Sequence, residues 1–280
     1  MTPAASARAR LAAAGLDDEQ VTRRVDAALG EDLAGCQDVT SVATVPARAE
    51  ATARFVARAD GVVAGLDVVE LVLARASDGR LRCRALARDG ESVTAGQALL
   101  EAAGPARDRL LAERTALNLL CHLSGVATLT RAWVDAVAGT EAQVRDTRKT
   151  TPLLRALEKY AVRCGGGVNH RMSLADAALV KDNHVVAAGG VVAAFRRVRE
   201  SFPDVAVEVE VDTVADAVAA VEAGADLVLL DNFGLDDLVS TVRLVGGRAR
   251  LEASGGLTLA DAAAVAGTGV DLSLIHISEP

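Results

Sequence analysis

The sequence predicts an α/β protein in two parts: a small mixed α/β module over roughly the first hundred residues, then a serial βα region after about residue 104. Three observations predict it. The first part alternates apolar and charged residues in short runs punctuated by Asp-Gly turns at Asp60, Asp78 and Asp89. The second part repeats strand-like and helix-like segments in succession, as parallel strands joined by crossover helices do. No G-x-G-x-x-G follows its first strand, which weighs against a dinucleotide fold.

LDDEQVTRRVDAALGE (16–31) predicts an amphipathic helix with an acidic first turn. EATARFVAR (50–58) and LRCRALAR (81–88) alternate as half-buried strands do, and DGESVTAGQALLE (89–101) predicts a turn and two more strands. Further strands are predicted at 142–147, 178–182, 205–211, 227–232, 250–254 and 270–274. Between them PLLRALEKYAVRC, VVAAFRRVRES, VADAVAAVEAG, LDDLVSTVRLV and LADAAAVAG predict helices, with Gly165, Gly224 and Gly267 at C-cap positions. A barrel and an open doubly wound sheet both fit this succession. The strand ends favour the barrel, because each closes on polar groups: Asp146, Arg148 and Lys149; Lys181, Asp182 and Asn183; Glu208 and Glu210; Asp231 and Asn232; Glu252 and Ser254. Glu208 and Glu210 alternate with valines and so share one face, which is buried in a covered parallel sheet and needs cations, metal or ligand hydroxyls as partners.

The chain of 280 residues has 51% hydrophobic but only 2% aromatic content, so its core is built of Ala, Val and Leu. Few aromatics leave few stacking platforms, and a net charge of −8 argues against non-specific nucleic-acid binding. Cys36, Cys83, Cys121 and Cys164 form no C-x-x-C pair, and are expected as reduced, mostly buried thiols of a cytoplasmic protein. The N-terminal apolar run is too short for a signal peptide, and no run approaches membrane-spanning length.

Against the net negative charge, residues 145–181 carry eight cations and three acids, a local field suited to a polyanion. All three lysines of the chain, Lys149, Lys159 and Lys181, lie there. Lys149 and Lys181 end strands and are expected to be functional. Lys159, beside Arg155 and Glu158 on a helix whose apolar stripe is Leu153, Leu157, Tyr160 and Cys164, is expected to be solvated. In LLAERTALNLLCHLSG (110–125), Arg114 and Asn118 fall on the stripe of Leu110, Leu117 and Cys121; a charge on a buried stripe implies an internal salt bridge, a ligand or another subunit. CGGGVNHR (164–171) reads as a helix cap and turn or as an anion-approach loop. EASGGLTLAD (252–261) reads as a strand, a Ser-Gly-Gly loop and a helix N-capped by Thr258, an arrangement by which barrels hold phosphate.

Together ERTALNLLCHLSGVAT, DTRKTTPLLRALEKYAVRCGGGVNHR, LVKDNH, VEVEVD, LLDNF and EASGGL resemble the quinolinate phosphoribosyltransferase (carboxylating nicotinate-nucleotide pyrophosphorylase) family, in its order. The resemblance implies an N-terminal α/β sandwich domain, residues 1–115, and a C-terminal incomplete parallel α/β barrel bearing the active site, residues 116–280. It implies transfer of phosphoribosyl from phosphoribosyl pyrophosphate to quinolinate with decarboxylation, giving nicotinate mononucleotide, pyrophosphate and carbon dioxide, with Mg²⁺ and no organic cofactor. It implies that Thr147, Arg148, Lys149, His170, Arg171 and Lys181 line the site for quinolinate and pyrophosphate, and that Lys149, Glu210 and Asp231 are catalytic. Glu210 and Asp231 would meet the ribose hydroxyls and, indirectly, the metal; Ser254 and Gly255 would hold the 5′-phosphate. A homodimer would contribute Arg114 across its interface, without nucleic-acid or membrane partners.

The chain departs from the family at Cys36-Gln37, and its end, SLIHISEP from about residue 273, is expected to be non-native or truncated. The alternatives are a same-fold paralogue acting on another anionic substrate and a Schiff-base barrel enzyme using Lys181. A lipoyl-type carrier fails, because residues 1–148 contain no lysine to carry the group.

Overall fold

The structure, a computed structural model, describes residues 2–275. It divides into two compact units, one of Met1–Leu129 with Thr151–Gly165, the other of Thr130–Thr150 with Gly166–Pro280.

The first unit opens with α1 (Pro3–Ala13), α2 (Asp18–Leu33) and α3 (Val39–Thr44). Each starts at a side-chain cap: Thr2, Asp17 and Asp38 accept from the backbone N–H groups of Ala5, Gln20 and Ser41, contacts worth ~1 kcal/mol apiece. Then come β1 (Glu50–Val56), β2 (Gly61–Val62), α4 (Leu66–Ala76), β3 (Arg82–Ala85), β4 (Ser92–Val93) and β5 (Ala98–Pro105). β1, β5 and β3 form an antiparallel sheet with β5 central, while β2 and β4 pair separately. A helix at 66–76 is not among the sequence expectations. Leu66, Val68, Val69, Leu71, Val72 and Leu73 are all buried, so its polar face is narrow, limited to Asp67, Glu70 and Arg75. α1 and α2 pack on this helix, and Arg10 of α1 reaches Asp67 and Glu70 on it.

α5 (Ala106–Ala136) follows, and the expected boundary at 115 falls inside it. Its buried residues include Ala112, Ala116, Leu120, Leu123 and Ala127. The stripe expected to be buried is instead turned outward: Leu110, Arg114, Asn118 and Cys121 are exposed and Leu117 half-buried. β6 (Gln143–Arg145) belongs to the second unit, and α6 (Arg155–Gly165) returns to the first. Two expectations fail at α6. Leu153 precedes the helix with φ 68° and is 79% exposed, so it is no part of an apolar stripe. Lys159 is 1% exposed, not solvated; residues 157–162 are buried on every side, so the helix has no solvated face there.

The second unit continues with β7 (Ala177–Val180), α7 (Asp182–Ala188), α8 (Val191–Ser201), β8 (Ala206–Val211), α9 (Val214–Glu222), β9 (Leu227–Asp231), α10 (Leu235–Val245), β10 (Arg250–Ser254), α11 (Ala262–Ala266) and β11 (Leu272–Leu274). Six parallel strands run in the order β6-β11-β10-β9-β8-β7. β6 and β7 are the two edges, so the barrel is incomplete; an isolated parallel bridge, Arg145 to Val168, stands beside β6. Val207, Val209, Val228, Leu230, Leu251 and Ala253 pack with residues of α8, α9 and α10 in one core. All six predicted strands are present.

The helix expected at Thr258 begins later. Thr258 bonds the Asp261 carboxylate in a turn, and α11 starts only after Asp261. The expected non-native tail falls mainly on residues 276–280, which lie outside the described residues. Among the described residues no helix is long and apolar enough to cross a membrane. All four cysteines are free thiols, but Cys36 and Cys121 are exposed and Cys83 and Cys164 half-buried, against the expectation of mostly buried thiols.

Candidate active site

Parallel strands converge their side chains at their C-terminal ends. There the second unit has a cavity of about 550 Å³. Ten of the eleven residues singled out in the sequence line it: Thr147, Arg148, Lys149, His170, Arg171, Lys181, Glu210, Asp231, Ser254 and Gly255. Leu179, Leu229, Asn232, Gly256 and Leu274 complete the lining. The eleventh, Arg114, belongs to the other unit. It lies on the exposed face of α5, in an apolar groove of about 470 Å³ with Phe55, Val56, Leu117 and Cys121, and makes no ion pair among the described residues.

The turn after β6 carries the first cations. The Thr147 hydroxyl accepts from the Lys149 N–H at 2.9 Å, a side-chain turn of the kind threonine favours at strand ends. Asp146, 3% exposed, accepts from the His170 N–H at 2.7 Å and from Asn169 Nδ2 at 2.6 Å. That fixes the segment carrying His170 and Arg171. The three glycines before it do not line the cavity; Gly166, with φ 98°, follows the last residue of α6 in the left-handed region, the helix-cap reading. Arg171 donates to the Ala177 carbonyl at 2.9 Å. Burial, then the neighbouring Arg148 charge, lowers its pKa. At the end of β7 the Lys181 N–H donates to His184 Nδ1 at 3.0 Å, and its Nζ lies 3.1 Å from Glu210 Oε2.

The cavity is therefore two-sided. Arg148 and Lys149 bring cations from the end of β6, Lys181 from the end of β7 and Arg171 from the segment leading into β7; Glu210 and Asp231 bring carboxylates from β8 and β9. Lys181 is half-exposed and ion-paired, without the apolar enclosure that frees a lysine amine for carbonyl addition. Gly255 and Gly256, with φ 92° and 61°, form a left-handed turn after β10 that places backbone beside the cavity.

Two further carboxylates lie buried on β8 and β10. Glu208 and Glu252 are 3% and 0% exposed. His170 Nε2 is 2.9 Å from Glu208, Arg145 contacts Glu252, and Arg145 is 3.5 Å from Glu208. His170 Nδ1 accepts from the Arg171 N–H at 2.6 Å, so Nε2 is the ring's donor and Glu208 its acceptor. Burial pushes Glu208 up, but the hydrogen bonds from His170 and Glu252 and the nearby charges outweigh it, leaving Glu208 below the ordinary carboxylate range. Burial and then the Glu208 charge hold Glu252 well above it. His170, Glu208 and Glu252 bring three potential metal ligands within 4.8 Å of one another, yet the Arg145 guanidinium already supplies the positive charge among them. The oxygen donors at the cavity, Glu210 and Asp231, suit a hard divalent cation.

Residues 38–124 match the N-terminal domain, and residues 126–278 the C-terminal domain, of quinolinate phosphoribosyl transferase. A nicotinate-nucleotide pyrophosphorylase [carboxylating] from Mycobacterium leprae is 52% identical over 249 residues, 87% of each chain. A quinolinate phosphoribosyltransferase [decarboxylating] from Nicotiana tabacum is 37% identical over 265 residues, 88% of this chain and 75% of that one. The solved structure of the nicotinate-nucleotide pyrophosphorylase from Francisella tularensis superposes with a TM-score of 0.89 at 36% identity, covering 94% of this chain and 92% of that chain.

Proposed function

The chain belongs to the quinolinate phosphoribosyltransferase family, and from that membership we propose that it joins quinolinate to phosphoribosyl pyrophosphate with loss of carbon dioxide, making nicotinate mononucleotide for NAD biosynthesis. The observation that carries this reading is the two-sided cavity at the strand ends.

Quinolinate is a pyridine dicarboxylate and its co-substrate a polyphosphate, so binding needs several cations. Arg148, Lys149, Arg171 and Lys181 supply them, with His170 beside them. Lys149 and Lys181 have compact, rotatable ammonium groups that suit crowded anions better than a broad guanidinium. Departure of pyrophosphate builds positive charge on the ribose; Glu210 and Asp231, on adjacent strands, face that position and stabilise it. They also accept from the ribose hydroxyls. The pyridine nitrogen attacks C1 of the ribose as the C1–O bond to pyrophosphate breaks; the new pyridinium charge then stabilises the electron pair left on C2 as carbon dioxide departs, and that carbon takes up a proton from solvent. No protein nucleophile is required. Ser254 and the left-handed Gly255 turn offer donors to the 5′-phosphate. Magnesium bound with phosphoribosyl pyrophosphate would neutralise charge on the leaving group, with Glu210 and Asp231 as its oxygen-bearing neighbours.

In a homodimer, Arg114 would enter the site of a second copy from the outward stripe of α5. Its exposure, beside the apolar groove formed with Phe55, Val56 and Leu117, supports that arrangement. A cytoplasmic location accords with four free thiols. The test incubates purified protein with quinolinate, phosphoribosyl pyrophosphate and Mg²⁺ and follows nicotinate mononucleotide and carbon dioxide. Folded protein that releases neither refutes the reading.

A further inference from the structure

We propose that Asn232 is a positioning residue that ties the Asp231 carboxylate to the Gly255-Gly256 turn, fixing the spacing between the sugar-facing and phosphate-facing parts of the cavity. The inference rests on the phosphoribosyl-transfer reading.

Three independent contacts meet at this residue. Its backbone N–H donates to the Ser254 carbonyl at 2.9 Å, extending the β9–β10 pairing one residue beyond Asp231. Its Nδ2 donates to Asp231 Oδ2 at 2.8 Å. Its side chain lies against Gly255: a Cβ there would stand 2.2 Å from Asn232 Oδ1 and 2.6 Å from its Cγ. To make all three, Asn232 takes φ 59°, in the left-handed region. Among the described residues only Ala34, Asp78 and Leu153 share that property without being glycine, and none of those lines the cavity.

The side chain is exposed at the cavity wall, so burial does not account for its placement. Asparagine meets two demands together. It tolerates the left-handed backbone, and it offers an N–H to a carboxylate. Aspartate would keep shape and backbone preference but cannot donate when ionised, and it would set a second negative charge beside Asp231. Glycine would keep the backbone but free the carboxylate to rotate and leave the space over Gly255 empty.

Asn232→Gly and Asn232→Asp separate these demands. We expect both to keep the wild-type thermal midpoint and, as measured by calorimetry, quinolinate affinity within about twofold, while kcat/KM for phosphoribosyl pyrophosphate falls about 10–100-fold, the usual cost of losing an orienting contact. Calorimetry with ribose 5-phosphate should show the same selective loss without turnover. Variants with unchanged ribose 5-phosphate affinity overturn the proposal. So does an equal fall in quinolinate affinity and thermal midpoint, which marks a merely structural role. Wild-type protein that makes no nicotinate mononucleotide refutes the transfer reading instead, and the ribose 5-phosphate comparison still decides the positioning role.

Discussion

Glu208 and Glu252 face a single guanidinium, and their acidities diverge: burial and the Glu208 charge raise Glu252 well above the ordinary carboxylate range, while hydrogen bonds from His170 and Glu252 hold Glu208 below it. Glu252→Gln replaces a neutral acid by a neutral amide that still donates, so the loss of stability should be within ~1 kcal/mol. Glu208→Gln removes the resident charge, but Glu252 can then ionise against Arg145, and the cost should stay near ~1–2 kcal/mol. The double variant leaves Arg145 buried without an anion, at ~3–5 kcal/mol. The two positions should therefore be coupled by roughly 2 kcal/mol, well beyond the error of a double-mutant cycle. Urea denaturation of the four proteins measures it. The pH dependence gives a second reading with a definite sign. Above the ordinary carboxylate range the folded chain retains a proton on Glu252 that the unfolded chain releases. Stability from this group thus falls as pH rises, by at most ~1.4 kcal/mol per pH unit, until the raised pKa is passed. Glu208 acts oppositely: its contribution is present above the ordinary range and lost as pH falls through its depressed value. Glu252→Gln should remove the first slope. Strictly additive variants, or a slope that survives Glu252→Gln, would refute the shared-charge account.

Three other outcomes are expected. Lys159→Arg should cost ~1–3 kcal/mol in urea denaturation by overpacking a side chain that is 1% exposed; an unchanged midpoint would restore the solvated reading. Lys149→Arg and Lys181→Arg should each lower kcat/KM at least about tenfold with little change in melting temperature, whereas full activity would remove them from the substrate site. Gly255→Ala must place a methyl 2.2 Å from Asn232 Oδ1 at φ 92°, and should abolish detectable affinity for ribose 5-phosphate; retained binding would show that the turn can relax.

The βα succession was legible because most strands are apolar runs ending on polar groups and most of the helices between them have a polar face. Six cavity residues, Arg148, Lys149, Lys181, Glu210, Asp231 and Ser254, were legible for the same reason: they stand where runs such as ALVKD and LVLLDN turn from apolar to polar, whereas Thr147, His170, Arg171 and Gly255 were marked by the family resemblance. Where polarity and burial part company, reading failed. α4 has only a narrow polar face of Asp67, Glu70 and Arg75, and α6 buries Glu158 and Lys159 along with its leucine and valine. On α5 two stripes competed, and the buried one uses Ala112 and Ala116, which signal burial weakly. Asn232 was visible as a strand-end polar group, but its left-handed backbone and its contact with Gly255 arise only from pairing between β9 and β10. Glu252 gave no warning of its raised pKa, because its partners lie on β6 and β8, far away in sequence.

The return of α6 to the first unit bears on how the chain is made. The N-terminal unit is not finished when residue 129 has been synthesised; it needs Thr151–Gly165, which emerge after β6 has already begun the second unit. The nascent chain must hold one domain open while starting another. A cut near residue 125, at the seam between the two family domains, would leave the N-terminal fragment without a helix carrying Leu157, Tyr160 and Val162, all buried in the whole chain. Such a fragment exposes apolar surface and is prone to aggregate. The two units are thus separable as lists of contacts but not as lengths of polypeptide, and swapping domains between relatives requires exchanging two segments rather than one.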